Sequence, residues 1–179
     1  VGIAPDHKLL SLTQPIGTWF PDLPADKRAI TVEDLLTMRS ALESTSNRNY
    51  GAWVQSSNWV QYALSRPMLG DPGEWMDYST GNTHLLSAIL TKVTGTSTWQ
   101  FANETLARPL GFTLARWPRD PQGIYFGGND MLLTPRQMLA FGELYLRRGS
   151  IGGKEIVPER RIVACMVPPS CSGGSGAQD

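Results

Sequence analysis

Few residues in this chain could do chemistry, and most of them gather in one stretch. DPGEWMDYSTGNTHLLSAILTKVTG, residues 71–95, runs from a Pro-Gly turn through Tyr78 and a small polar loop at 79–82 into an amphipathic helix. A tyrosine held there points its hydroxyl outward from a helix entrance, where it could carry a proton. Its ordinary pKa of about 10 means that acid–base work at neutral pH needs a neighbouring cation. The residue types leave two readings open, a packed or rim tyrosine and an acid–base group. The other chemistries find less support. His7 and His84 are the only histidines and lie far apart, with no second ligand at i+3 or i+4. His84 falls at a helix start and reads as a hydrogen-bonded structural histidine. Cys165 and Cys171 are too few for a disulfide scaffold or a four-ligand zinc site. No metal and no cofactor is expected. There is no G-x-x-x-x-G-K-[ST], no G-x-G-x-x-G and no G-x-S-x-G, and GGND at 127–130 reads as a turn.

The elements that must position these residues are mainly helices. Residues 1–25 are irregular, broken by Pro5, Pro15, Pro21 and Pro24. ITVEDLLTMRSAL then offers Thr31 as N-cap with Asp34 completing a capping box. SSNWVQYALSRP offers Ser57 or Asn58 as a cap and Pro67 as a stop, and the helix after Tyr78 ends at Lys92 and Gly95. Ser97 with Gln100 predicts a further capping box. Thr134, Pro135 and Gln137 make the clearest start signal in the chain, ahead of an expected buried stripe of Met138, Phe141, Leu144 and Tyr145. SIGGKEIVP reads as a short turn and strand.

Composition narrows the class. The 179 residues suit one domain or most of one, and 41% hydrophobic with 18% charged residues is enough apolar content for a core. Sixteen Lys and Arg balance sixteen Asp and Glu, so the formal net charge is zero. That argues against nucleic acid, whose phosphates call for a basic stripe. No apolar run approaches the roughly 20 residues that span a bilayer, so no transmembrane segment is expected. Val1 opens the sequence without Met or a basic-then-apolar leader, so a signal peptide is expected to be absent or already removed. At the other end PPSCSGGSGAQD is rich in small residues and predicts a disordered tail. A local disulfide between the two cysteines would require an oxidising compartment.

Taken in order, ITVEDLLTMRSALES, PGEWMDYSTGNTHLLSAILTKVTG, LARPLG and GGNDMLLTPRQMLAFGELYLRRGSIGGKEIVP resemble consecutive segments of the serine β-lactamase and penicillin-binding-protein-like hydrolases. The likeness is to the branch of esterases, class C β-lactamases and D-alanyl-D-alanine peptidases, and KLLSLTQPIGTWFPDLP resembles the stretch after that family's nucleophile helix. The resemblance implies a mainly α chain, the helical lobe of an α+β fold with most of the sheet missing. It implies a partial β-lactamase-like domain over residues 1–168 and a disordered tail over 169–179. The implied chemistry is attack by the Ser of S-x-x-K on an ester or amide of a small molecule, with Lys and the Tyr of Y-x-N sharing proton transfer and a K-T-G or H-x-G strand downstream. Tyr78 matches that catalytic tyrosine. Thr80 stands where the family has Asn, and Asn82 is a further candidate to supply a substrate-binding amide.

The sequence also departs from the family. S-x-x-K, K-T-G and H-x-G are all absent, and KVTG at 92–95 carries an extra residue. The expectation is a fragment that is incomplete and inactive, since a tyrosine without a nucleophile forms no acyl-enzyme. The alternative is a degenerate, non-catalytic relative that binds a protein or cell-wall peptide, using Trp19, Trp53, Trp59, Trp75, Trp99 and Trp117 as a surface. The resemblance favours a periplasmic or secreted location. Loss of the flanking αβ portion should also expose Leu85, Ile89 and Met138 and leave the chain marginally stable.

Overall fold

The computed structural model describes residues 1–166, so the predicted domain end at 168, the tail over 169–179 and Cys171, and with it the cysteine pairing, lie outside the described residues. Among the described residues eight α-helices follow one another: α1 (Ala25–Arg28), α2 (Val32–Leu36), α3 (Tyr50–Gln55), α4 (Trp59–Ser65), α5 (Thr80–Thr94), α6 (Thr98–Ala102), α7 (Pro135–Leu146) and α8 (Glu159–Met166). A two-stranded antiparallel hairpin, β1 (Ser150–Ile151) and β2 (Lys154–Glu155), pairs Ser150 with Glu155 and Ile151 with Lys154. Its turn residues Gly152 and Gly153 sit at φ of 58° and 78°, the left-handed pair that a tight hairpin needs. Among the described residues no helix is long and apolar enough to cross a membrane.

Local sequence accounts for the helix ends. Thr31 and Asp34 form the predicted capping box on α2, and Thr134 and Gln137 form one on α7 with Pro135 in the first position. Asn58, not Ser57, caps α4 by accepting from Gln61 N–H at 2.9 Å. The box expected at Ser97 is only half made. Ser97 accepts from Gln100 N–H, but the Gln100 side chain reaches Glu104 at 3.0 Å instead.

Helix α5 is the axis of the lobe. Ten of its 15 residues are buried, so it carries no solvent face of useful width. Leu85, Leu86 and Ile89 pack into one core with Ile16, Ile30 and Leu35. A second, aromatic core holds Trp53, Trp59, Trp117, Tyr125 and Phe126. The expected exposure of Leu85 and Ile89 is therefore corrected: both are fully buried, because the segment before α1 and helix α2 already cover them. Met138 is 62% exposed, as expected. The stripe on α7 is not buried as a whole. Leu144 is, while Met138, Leu139 and Phe141 face outward.

Two polar ties hold the periphery. Asp6 pairs with Arg160 and Arg161, joining the first turns of the chain to α8. Lys27 on α1 is buried and donates to Leu64 O at 2.9 Å and Arg66 O at 2.6 Å, the carbonyls left over where α4 ends. Burial lowers the Lys27 pKa, and these two acceptors hold the ammonium in place. Replacing it with the apolar Lys27→Met leaves both carbonyls without a partner. We expect a loss of about 1.5–3 kcal/mol in urea unfolding, the range for hydrogen bonds to charged groups.

Candidate active site

Tyr78 ends the extended approach to α5 and is 55% exposed. Its hydroxyl takes part in no hydrogen bond among the described residues, so it faces outward as the sequence suggests. Its backbone is fixed: Ser44 Oγ donates to Tyr78 O at 2.6 Å. The polar loop expected at 79–82 is instead the N-cap and first turn of the helix. Ser79, the N-cap, gives no side-chain bond to the turn it caps.

That duty passes to another segment. Thr80 N–H donates to Ser46 Oγ at 3.0 Å, and Gly81 N–H donates to Thr45 Oγ1 at 2.8 Å. Two of the donors that every helix N-terminus leaves open are thereby closed by hydroxyls 34 and 36 residues upstream. Ser46 Oγ also bonds Thr80 Oγ1 at 2.9 Å, and Thr45 N–H donates to Ser79 Oγ at 3.2 Å. Gly81 permits this approach, since a Cβ there would stand 2.7 Å from Thr45 Oγ1. Below this layer Ser40 Oγ donates to Asn82 Oδ1 at 3.0 Å. Asn82 is 2% exposed, and its Nδ2 has no partner among the described residues.

The structure thus brings Tyr78 and Thr80 together at the α5 entrance, with Asn82 behind them in the interior. The wall beside them was not legible. Gly127 and Gly128, read only as a turn, press against the first turn of α5. A Cβ at 127 would lie 2.1 Å from Thr83 O, and one at 128 would lie 2.1 Å from Thr80 Cγ2. Asn129 Nδ2 donates to Tyr50 Oη at 3.0 Å and fastens the same bend to α3. The run of Ser40, Ser44, Thr45 and Ser46 was missed too, although a cluster of hydroxyls with no helix of its own to cap is a signal. His84 is the hydrogen-bonded structural histidine expected, with Nε2 at 3.0 Å from Asp120 Oδ2. Among the described residues no three His, Cys, Asp or Glu side chains gather as a metal site would.

An outward tyrosine at the mouth of a buried central helix, on a mainly helical lobe, defines the helical part of a β-lactamase and penicillin-binding-protein fold. The family profile named Beta-lactamase matches residues 3–161, and the chain belongs to that family. A candidate β-lactamase from Bacteroides dorei is 20% identical, with a TM-score of 0.72 over 90% of this chain and 50% of its own. A candidate 6-aminohexanoate-dimer hydrolase from Bacillus anthracis is 19% identical, with a TM-score of 0.74 over 91% of this chain and 48% of its own. The D-amino acid amidase of Ochrobactrum anthropi is 20% identical, with a TM-score of 0.68 over 90% of this chain and 54% of its own. The chain therefore spans about half the length of these structures. No curated protein sequence matches it.

Two outcomes follow from the geometry. Gly128 is required by space, so Gly128→Ala should lose about 1–3 kcal/mol through overpacking. Adding Thr80→Ser removes the methyl it strikes and should recover part of that loss, which a double-mutant cycle in urea would measure. Burial pushes the His84 imidazole below its ordinary 6.5, with Asp120 pulling partly back. Above that value His84 is neutral folded or unfolded; below it the unfolded chain takes up a proton that the folded chain refuses. Stability should therefore fall as pH drops from about 7 to 5, by at most about 1.4 kcal/mol per pH unit from this proton. Urea midpoints across that range check the sign.

Proposed function

We propose that the complete protein is a serine hydrolase that cleaves an ester or amide of a small molecule through an acyl-enzyme, with Tyr78 as the proton-transfer partner. The observation that carries this reading is Tyr78 itself, half-exposed at the α5 entrance with its carbonyl bound by Ser44 and its hydroxyl unengaged among the described residues. In the reaction the serine oxygen bonds to the acyl carbon, and its proton passes to the Tyr–Lys pair. The bond to the leaving group then breaks, and that proton leaves with it. Water repeats the exchange in reverse roles and frees the acid.

Thr80 and Asn82 are the substrate-binding candidates. A threonine hydroxyl can both donate and accept, and the Thr80 hydroxyl keeps capacity beyond its bond to Ser46. The unpaired Nδ2 of Asn82 is a donor with room for one more partner. The serine and lysine belong to S-x-x-K, which these 179 residues do not contain, so the chain by itself forms no acyl-enzyme.

A second reading is a non-catalytic module that binds a protein or a cell-wall peptide. The observation on its side is Trp75, exposed at the surface. Its tryptophan surface is reduced: Trp53, Trp59 and Trp117 are buried, Trp19 and Trp99 are half-buried, and Trp75 is exposed.

Labelling with a fluorophosphonate decides between the two. The product of the uninterrupted reading frame is expected to label, and Tyr78→Phe is expected to slow acylation by about a hundred- to ten-thousand-fold with little change in unfolding midpoint. A product that binds muropeptide and never labels would put the binding module in place of the hydrolase.

A further inference from the structure

One turn beyond Thr80, α5 carries a polar device that the proposed chemistry does not use. His84 is fully buried, with Trp53, Trp59 and Phe126 packed around its ring at 5.8, 5.4 and 5.9 Å. An apolar side chain would serve such a shell at lower cost, because a buried polar group must find partners. His84 finds two, of opposite kind. Asp120 Oδ2 lies 3.0 Å from Nε2, while Asp120 Oδ1 accepts Gln122 N–H at 2.9 Å and Ile124 N–H at 2.8 Å. A carboxylate only accepts, so it fixes the ring proton on Nε2 and leaves a lone pair on Nδ1. That lone pair meets Gly127 N–H at 3.4 Å. Gly127 opens the bend that presses on Thr83 and Thr80.

We propose that His84 is a positioning residue for the substrate cleft: the tautomer imposed by Asp120 lets it hold the Gly127–Gly128 backbone against Thr80 and so sets the wall beside Tyr78. The inference rests on the assignment of Tyr78 and Thr80 to the site. His84 is no catalytic residue, since its complete burial keeps it from any substrate. What it supplies is a donor on one edge and an acceptor on the other, which no apolar residue can imitate.

Asp120→Asn tests this with little change of shape. Its Oδ1 can still accept from Gln122 and Ile124, but its amide must donate to Nε2, which drives the ring proton to Nδ1. That N–H would then confront the N–H of Gly127. Nitrogen NMR of the histidine ring should show an unprotonated Nδ1 in the wild type and an unprotonated Nε2 in the variant. Amide exchange at Gly127 and Gly128 should quicken by about tenfold. Exchange at Ile16 and Leu35, bonded to Ile30 O and Thr31 O in the other core, should stay unchanged. Should Asp120→Asn fail to fold, His84→Gln keeps a donor toward Asp120, carries no acceptor at the ring position of Nδ1 and predicts the same quickening at Gly127. A wild-type ring protonated on Nδ1, or a reversed tautomer with exchange at Gly127 and Gly128 unmoved, overturns the proposal. In the product of the uninterrupted reading frame, Asp120→Asn should raise KM for a p-nitrophenyl ester about tenfold with kcat little changed. A wild type with no esterase activity defeats the hydrolase reading alone, because the ring and amide signals still report whether His84 holds the bend.

Discussion

The structure depends on how the first turn of α5 is satisfied. A helix this deeply buried cannot leave its opening N–H groups to water, and its own N-cap Ser79 provides no side-chain bond to that turn. Hydroxyls of Thr45 and Ser46 close the gap, and Ser44 binds the carbonyl just before it. This couples two segments more than 30 residues apart at the point where Tyr78 emerges. The direction of Tyr78 is thus a by-product of helix capping. A rigid cap below leaves the phenol exposed above.

The same helix divides the lobe into two kinds of interior. On one side lie aliphatic residues from the irregular opening and α2, and on the other an aromatic cage closed by the loop from Trp117 to Phe126. Aliphatic packing is tolerant of small displacements. The aromatic side is not, because Trp53, Trp59 and Trp117 each commit an indole N–H to a backbone carbonyl, Trp59 O, Val54 O and Phe126 O respectively. Directional bonds therefore cluster on the side that carries the glycine bend. The bend that presses on Thr80 and Thr83 is built on the stiffer half.

Much of this frame was legible and some was not, for identifiable reasons. Capping residues act within four positions of themselves, so Thr31, Thr134 and Asn58 announced α2, α7 and α4 correctly. The hydroxyls of 44–46 cap a helix distant in sequence, and no local rule connects them to Thr80. Gly127 and Gly128 look like any turn glycines, because what demands them is a neighbour at Thr80 and Thr83 and not their own φ. His84 was legible as a bonded residue, but its partner Asp120 sits 36 positions away. The resemblance is what singled out Tyr78 as a candidate. It could not say that Asn82 is buried behind the entrance, with Oδ1 bound by Ser40 Oγ and Nδ2 unpartnered among the described residues.

The error about Leu85 and Ile89 is instructive because it came from treating α5 as if it needed cover from outside the lobe. Residues before α1, with Ile16 and Ile30, already cover that face, so the lobe owns a core that its central helix does not share with solvent. Exposed apolar area collects elsewhere, on Met131 and Leu132 and along α7 at Met138, Leu139 and Leu146. These residues surround a helix whose N-terminal capping box is intact and whose Leu144 is fully buried. Helix α7 thus turns Leu144 inward and pairs Phe141 with Tyr145, while Met138, Leu139 and Leu146 stay exposed. Apolar area of that kind, gathered on one helix, governs association and not folding. The exposed faces expected on α5 are therefore found on α7, while the inner face of α5 is covered.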